Sequence, residues 1–161
     1  MLQAFTVFHV ILSLIGIVSG FVVVFGLIGS KRLNGWTGWF LLTTAATSLT
    51  GFFFPFHGFL PSYAVGIVSL IVLAIAIAAR YLFYLVGAWR RTYVITAVIA
   101  LYLNFFVLIV QLFRKVPALE ALAPTQSEPP FQIAQLVALL FFAMLGFRAA
   151  VKFRGEPLRT A

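Results

Sequence analysis

A chain of 161 residues that is 63% apolar, with only 11 Lys+Arg and 3 Asp+Glu and a formal net charge of +8, cannot hide its apolar surface in water. Soluble domains are about one-quarter charged and roughly half apolar. The acids are Glu120, Glu128 and Glu156, and Asp and Cys are absent. This excludes disulfide scaffolds, zinc–thiolate centres and cysteine nucleophiles, and leaves no Asp for a catalytic triad, an EF-hand or a P-loop magnesium site.

A helix crossing about 30 Å of hydrocarbon needs roughly 20 apolar residues. Five segments meet that need: 4–29, 36–56, 63–89, 93–113 and 131–150. The apolar runs are continuous, whereas barrel strands alternate. The sequence therefore predicts an all-α, polytopic transmembrane bundle of five helices in a single integral domain.

In the first segment no basic residue precedes the apolar run, and Lys31 and Arg32 follow it. A secretory signal has the reverse order, so 4–29 reads as an uncleaved first helix. His9, Ser13, Gly16 and Gly20 are spaced four, three and four apart, which puts them on one helix face. Gly16 to Gly20 is a G-x-x-x-G, which lets helix backbones approach. Packing within the chain is its expected use; docking on a partner or a second copy is the other.

The second segment holds Thr43, Thr44, Thr47, Ser48, Thr50 and Gly51. Hydroxyls in lipid bond back to a carbonyl one turn earlier and make modest contacts between helices. A tight interface with the first helix is expected; the alternative is a hydroxyl-lined path for a small neutral solute or ion. The segment closes on Phe53-Phe54-Pro55-Phe56-His57-Gly58.

The third segment contains Arg80. If one straight helix ends near Trp89, Arg80 lies about 13 Å above the boundary and faces the protein interior or a bound anion. If 63–79 spans alone, Arg80 marks the interface and 81–85 lies along it. The fourth segment places Asn104 near the midplane, with Gln111 on the same face. An unpaired amide there costs about several kcal/mol, so a Thr of the second segment or Arg80 is its expected partner. Residues 114–130 carry Pro117, Pro124, Pro129 and Pro130 and read as a loop. Gln132 and Gln135 open the fifth segment and would join His9, His57 and Gln111 in a polar rim.

Short loops rich in Lys and Arg stay in the cytoplasm. With the N-terminus outside, Lys31, Arg32, Arg90, Arg91, Arg148, Lys152, Arg154 and Arg159 lie inside, and only Arg114 and Lys115 lie outside. The expected topology is N-terminus out and C-terminus cytoplasmic, in a bacterial inner membrane. Trp36, Trp39, Trp89, Tyr63 and Tyr93 fit an interfacial aromatic belt. The positive charge then follows topology and anionic lipid, and does not imply nucleic acid.

None of the five segments contains a carboxylate, which disfavours proton- and sodium-coupled transport. An autonomous enzyme is the weakest class. The expected role is a non-catalytic subunit or anchor docking on a larger membrane assembly. One alternative is a redox-associated subunit holding haem b or a quinone through His9 and His57. The other is a solute or ion pathway in a homo-oligomer, lined by Thr43, Thr47, Arg80, Asn104 and Gln111.

Overall fold

The computed structural model describes residues 2–54 and 61–154, and among them there are helices and no strand. The elements are α1 (Leu2–Ile28), α2 (Asn34–Gly51), α3 (Pro61–Ile77) continued by a π-helical turn (Ala78–Leu82), α4 (Ala88–Lys115), a short α5 (Pro117–Leu122) and α6 (Pro129–Lys152). Four stretches are long and apolar enough to cross a membrane: Gln3–Ile28, Tyr63–Leu82, Ala88–Lys115 and Pro129–Lys152. The chain is thus an all-helical bundle with the make-up of a multi-pass membrane protein.

The helix α2 is not among the four. Of its 18 residues, six are Thr or Ser and three are Gly. Four of its hydroxyls are satisfied within the helix, while the buried Thr44 hydroxyl has no partner among the described residues. Thr43 Oγ1 donates to the Trp39 carbonyl at 2.7 Å, Thr47 to Thr43 at 2.8 Å, Ser48 to Thr44 at 3.0 Å and Thr50 to Ala46 at 2.7 Å. Each bond closes one turn back, so the polar groups ask little of the surroundings.

α2 runs antiparallel to α1. His9 meets Thr50, Gly16 meets Thr44, Gly20 meets Phe40, and Gly26 meets Leu33. Each step along α1 is matched by a step back along α2. A Cβ on Gly20 would lie 2.6 Å from Leu101 Cδ1 and 2.9 Å from the Phe40 ring, so α1, α2 and α4 close on a point that only glycine fits. α3 packs against α2 and α4, and α6 lies across α4 and α1. The core follows that meeting line: Val23, Val24, Leu27, Phe40, Leu73, Tyr93, Ala97, Leu101 and Phe142 are buried.

The structure differs from the hydropathy reading between the third and fourth segments. The helix does not continue over 63–89; it ends at Leu82, and α4 begins at Ala88. Tyr84 (φ 50°), Leu85 (φ 59°) and Gly87 (φ 55°) turn the chain through left-handed backbone. Arg90 and Arg91 therefore stand on the first turn of α4, not in a loop. Residues 114–130 are also less irregular than their prolines suggested. α4 runs to Lys115, and Pro117 starts α5, where its missing N–H costs nothing.

Glu128 precedes α6. Its carboxylate accepts from Thr125 Oγ1 at 2.8 Å, Thr125 N–H at 3.2 Å and Ser127 N–H at 3.0 Å. Slight desolvation pushes this carboxyl up, but those hydrogen bonds outweigh it and hold the group below its ordinary range.

Candidate functional site

The ring formed by α1, α2, α3 and α4 is open at one end and closed at the other. At the open end lie the start of α1, the end of α2, the start of α3 and the end of α4. They enclose a cavity of about 540 Å³, within the range of small-molecule sites.

Helical spacing explains the lining. On α4, Asn104, Leu108, Gln111 and Lys115 follow at steps of four, three and four, with Arg114 beside them. On α1, Thr6, His9, Val10, Ser13 and Leu14 form a comparable stripe. α2 adds Thr47, Ser48 and Gly51, and α3 adds Val65, Gly66 and Ser69. The walls are mostly apolar with scattered hydroxyls. Among the described residues no carboxylate lines them, and the two cations, Arg114 and Lys115, stand where α4 ends.

His9 is held in one orientation. His9 Nδ1 and the Thr50 hydroxyl share a hydrogen bond of 2.8 Å, and the same hydroxyl lies 2.7 Å from the Ala46 carbonyl. In the tautomer where Nδ1 donates to Thr50, Nε2 keeps its lone pair. Phe54 meets the imidazole edge-on at 5.1 Å and the Phe5 ring at 5.0 Å. Tyr63 donates to the Phe54 carbonyl at 3.0 Å and packs on Phe52 at 5.7 Å. Aromatic rings thus flank the opening where α1, α2 and α3 meet.

The floor is a polar pair, a half-buried Ser13 and a buried Asn104. Ser13 Oγ donates to Asn104 Oδ1 at 2.8 Å, and Asn104 Nδ2 leans toward the Ser13 carbonyl at 3.4 Å. A Cβ on Gly16 would sit 3.0 Å from Thr44 Oγ1, 3.1 Å from Asn104 Nδ2 and 3.3 Å from Thr43 Oγ1. Beneath it, Phe40 and Leu101 meet at Gly20 with no exposure, so the polar line stops at the floor.

Arg80 belongs to the closed end and is 1% exposed. The π-helical turn carries it inward, between the rings of Tyr81 (5.7 Å) and Tyr93 (5.2 Å), and Nη2 donates to Asn34 Oδ1. It does not reach Asn104, whose partner is Ser13.

The sequence-derived candidates divide accordingly. His9, Ser13, Thr47, Asn104 and Gln111 come together at the cavity. Gly16 and Gly20 lie in helix contacts inside the chain, and the Thr43 hydroxyl bonds back to Trp39. Gln132 and Gln135 do not join a rim with His9 and Gln111. Gln132 bonds the Ser127 carbonyl just ahead of α6, and Gln135 bonds the Phe106 carbonyl of α4, because the 24-residue α6 packs outside the four-helix ring. His57 lies outside the described residues. The sequence reading missed Thr6, Ser69, Arg114 and Lys115. The signal for the last two was their spacing from Gln111, visible only once the helix is continued past residue 113. Among the described residues, no three of His, Cys, Asp or Glu lie together as metal ligands would. Comparison with family models, with curated proteins and with solved structures finds no match to this chain.

Proposed function

We propose that this chain is a non-catalytic subunit of a larger assembly in the bacterial cytoplasmic membrane, and that its cavity holds one amphiphilic molecule on the outer side. The cavity carries this reading. It combines apolar walls, hydroxyls, an oriented imidazole and two cations at the mouth, all within the half of the bundle where α1 begins. An amphiphile matches that gradient from charged rim to apolar wall. A conduit matches it less well, since the apolar layer of Phe40 and Leu101 follows the Ser13–Asn104 floor.

The topology in this proposal has five crossings, the N-terminus outside and the C-terminus cytoplasmic. The α1–α2 register supports the fifth crossing. It extends from His9 to Gly26 of α1, about 26 Å of helix, close to the depth of the hydrocarbon. The basic residues support the orientation. Lys31, Arg32, Arg90, Arg91, Lys152 and Arg154 gather at the closed end. The subunit role rests on short loops and on a composition without Asp or Cys.

A second reading keeps the cavity for haem b or a quinone. Its motive is His9, which Thr50 holds through Nδ1, so that Nε2 would be the atom offered to a haem iron. Purification in mild detergent, native mass spectrometry and an absorption spectrum test both readings. A retained partner protein and one lipid-sized adduct are expected. A Soret band would replace the amphiphile with haem, and a bare monomer that takes up no amphiphile would overturn the proposal.

A further inference from the structure

We infer that the cavity selects an amphiphile with a phosphate head group, bound by Arg114 and Lys115 while its chain lies along the apolar walls; this rests on the cavity being an amphiphile site. Three observations converge. First, the positive-inside pattern accounts for eight basic residues at the cytoplasmic ends, and Arg114 and Lys115 stand apart from it, exposed on the last turn of α4, where the helix dipole also favours a cation. Both of those exceptions line the cavity. Second, their charge is uncompensated. No carboxylate lines the cavity, and neither cation has a hydrogen bond or ion pair among the described residues. The two acids nearest in sequence are engaged elsewhere or exposed: Glu128 with Thr125 and Ser127, and Glu120 on α5, a helix packed on α4. Third, depth and polarity match such a molecule. Arg114 and Lys115 stand one turn beyond Gln111 and nearly three turns above Asn104. A head group at the cations would leave its chain beside Val10, Leu14, Val107 and Leu108. A guanidinium and an ammonium side by side suit a phosphate, which offers several acceptor oxygens.

The test uses the full chain in a neutral detergent, titrated by native mass spectrometry. The probes are a short-chain phosphatidic acid, the matching diacylglycerol, a neutral quinone and inorganic phosphate. The variants are Arg114→Gln with Lys115→Gln, and Ser69→Trp, which fills the cavity and leaves both cations. Thermal midpoints confirm that each variant is folded. Phosphatidic acid should bind one per chain, at least tenfold tighter than diacylglycerol, and more weakly as salt is raised. Each variant should weaken it at least tenfold. Equal binding of diacylglycerol or quinone would overturn the phosphate assignment and leave the amphiphile site standing. Equal binding of inorganic phosphate would overturn the role of the chain. Loss with the double variant but not with Ser69→Trp would reduce the site to a surface patch, and binding of no probe would remove the amphiphile site itself.

Discussion

The two halves of the bundle use the same four helices differently. Toward the closed end the helices touch. Gly20 admits Phe40 and Leu101, Tyr93 and Ala97 are fully buried, and Arg80 is enclosed between two aromatic rings. Toward the open end the same helices diverge around about 540 Å³ of space. Small residues occur in both halves, so size alone does not make a close contact. A Cβ on Gly20 would meet two side chains within 3.0 Å, whereas one on Gly51 would meet only His9 Cε1, at 3.8 Å. What the neighbouring helix presents decides whether a glycine is a packing point or part of a cavity wall.

The sharpest way to break this comparison is to add one methyl group in each half. Gly20→Ala should cost about 1–3 kcal/mol through overpacking against Phe40 and Leu101. Gly51→Ala should change stability by less than about 0.5 kcal/mol. Unfolding midpoints in detergent compare the two directly, and equal costs would show that both halves are packed alike.

A smaller effect is expected at the boundary between the halves. Asn104→Leu should cost about 1 kcal/mol, since polar contacts between membrane helices average about 0.6 and reach about 1.7 kcal/mol. A double-mutant cycle with Ser13→Ala should return most of that cost as coupling. Thr47→Val should stay within about 0.5 kcal/mol, because its hydroxyl bonds only within its own helix. Additive Ser13 and Asn104 costs would mean that the floor pair is not an interaction of consequence.

The smallest effect concerns neither half but the start of α6. Glu128 has a lowered carboxyl pKa, so its contribution is present above the ordinary carboxylate range and lost as pH falls through the folded value. Wild type should melt slightly above Glu128→Gln at neutral pH. That gap should shrink as pH falls below the ordinary carboxylate range, and a gap that widens on acidification would reverse the assignment.

Most of the bundle was legible in the sequence, because a run of roughly twenty apolar residues matches the depth of the hydrocarbon and exceeds what a small soluble core holds. Two boundaries were not. Residues 83–86 are as apolar as the helix before them, so only the left-handed backbone at Tyr84, Leu85 and Gly87 reveals the turn. The last two residues of α4 are Arg114 and Lys115, and charge made that helical end look like loop. At the site, the stripe through His9 and Ser13 was legible as one helix face. Its partner was not, since hydropathy does not say which helix faces which; Ser13 on α1 reaches Asn104 on α4, 91 positions away. Gln132 and Gln135 have the spacing of a shared face, but α6 carries them outside the ring.

The central claim is that the open half admits molecules from the outer side and the closed half does not. The chain has no cysteine, so single cysteines can be placed without a background. Thr47→Cys and Ser69→Cys test the cavity wall, and Ala97→Cys and Ala100→Cys test the closed core. A small membrane-impermeant thiol reagent added to intact spheroplasts should label the first pair and spare the second. Labelling of Thr47→Cys and Ser69→Cys only after the membrane is opened, or equal labelling of all four, would contradict the account.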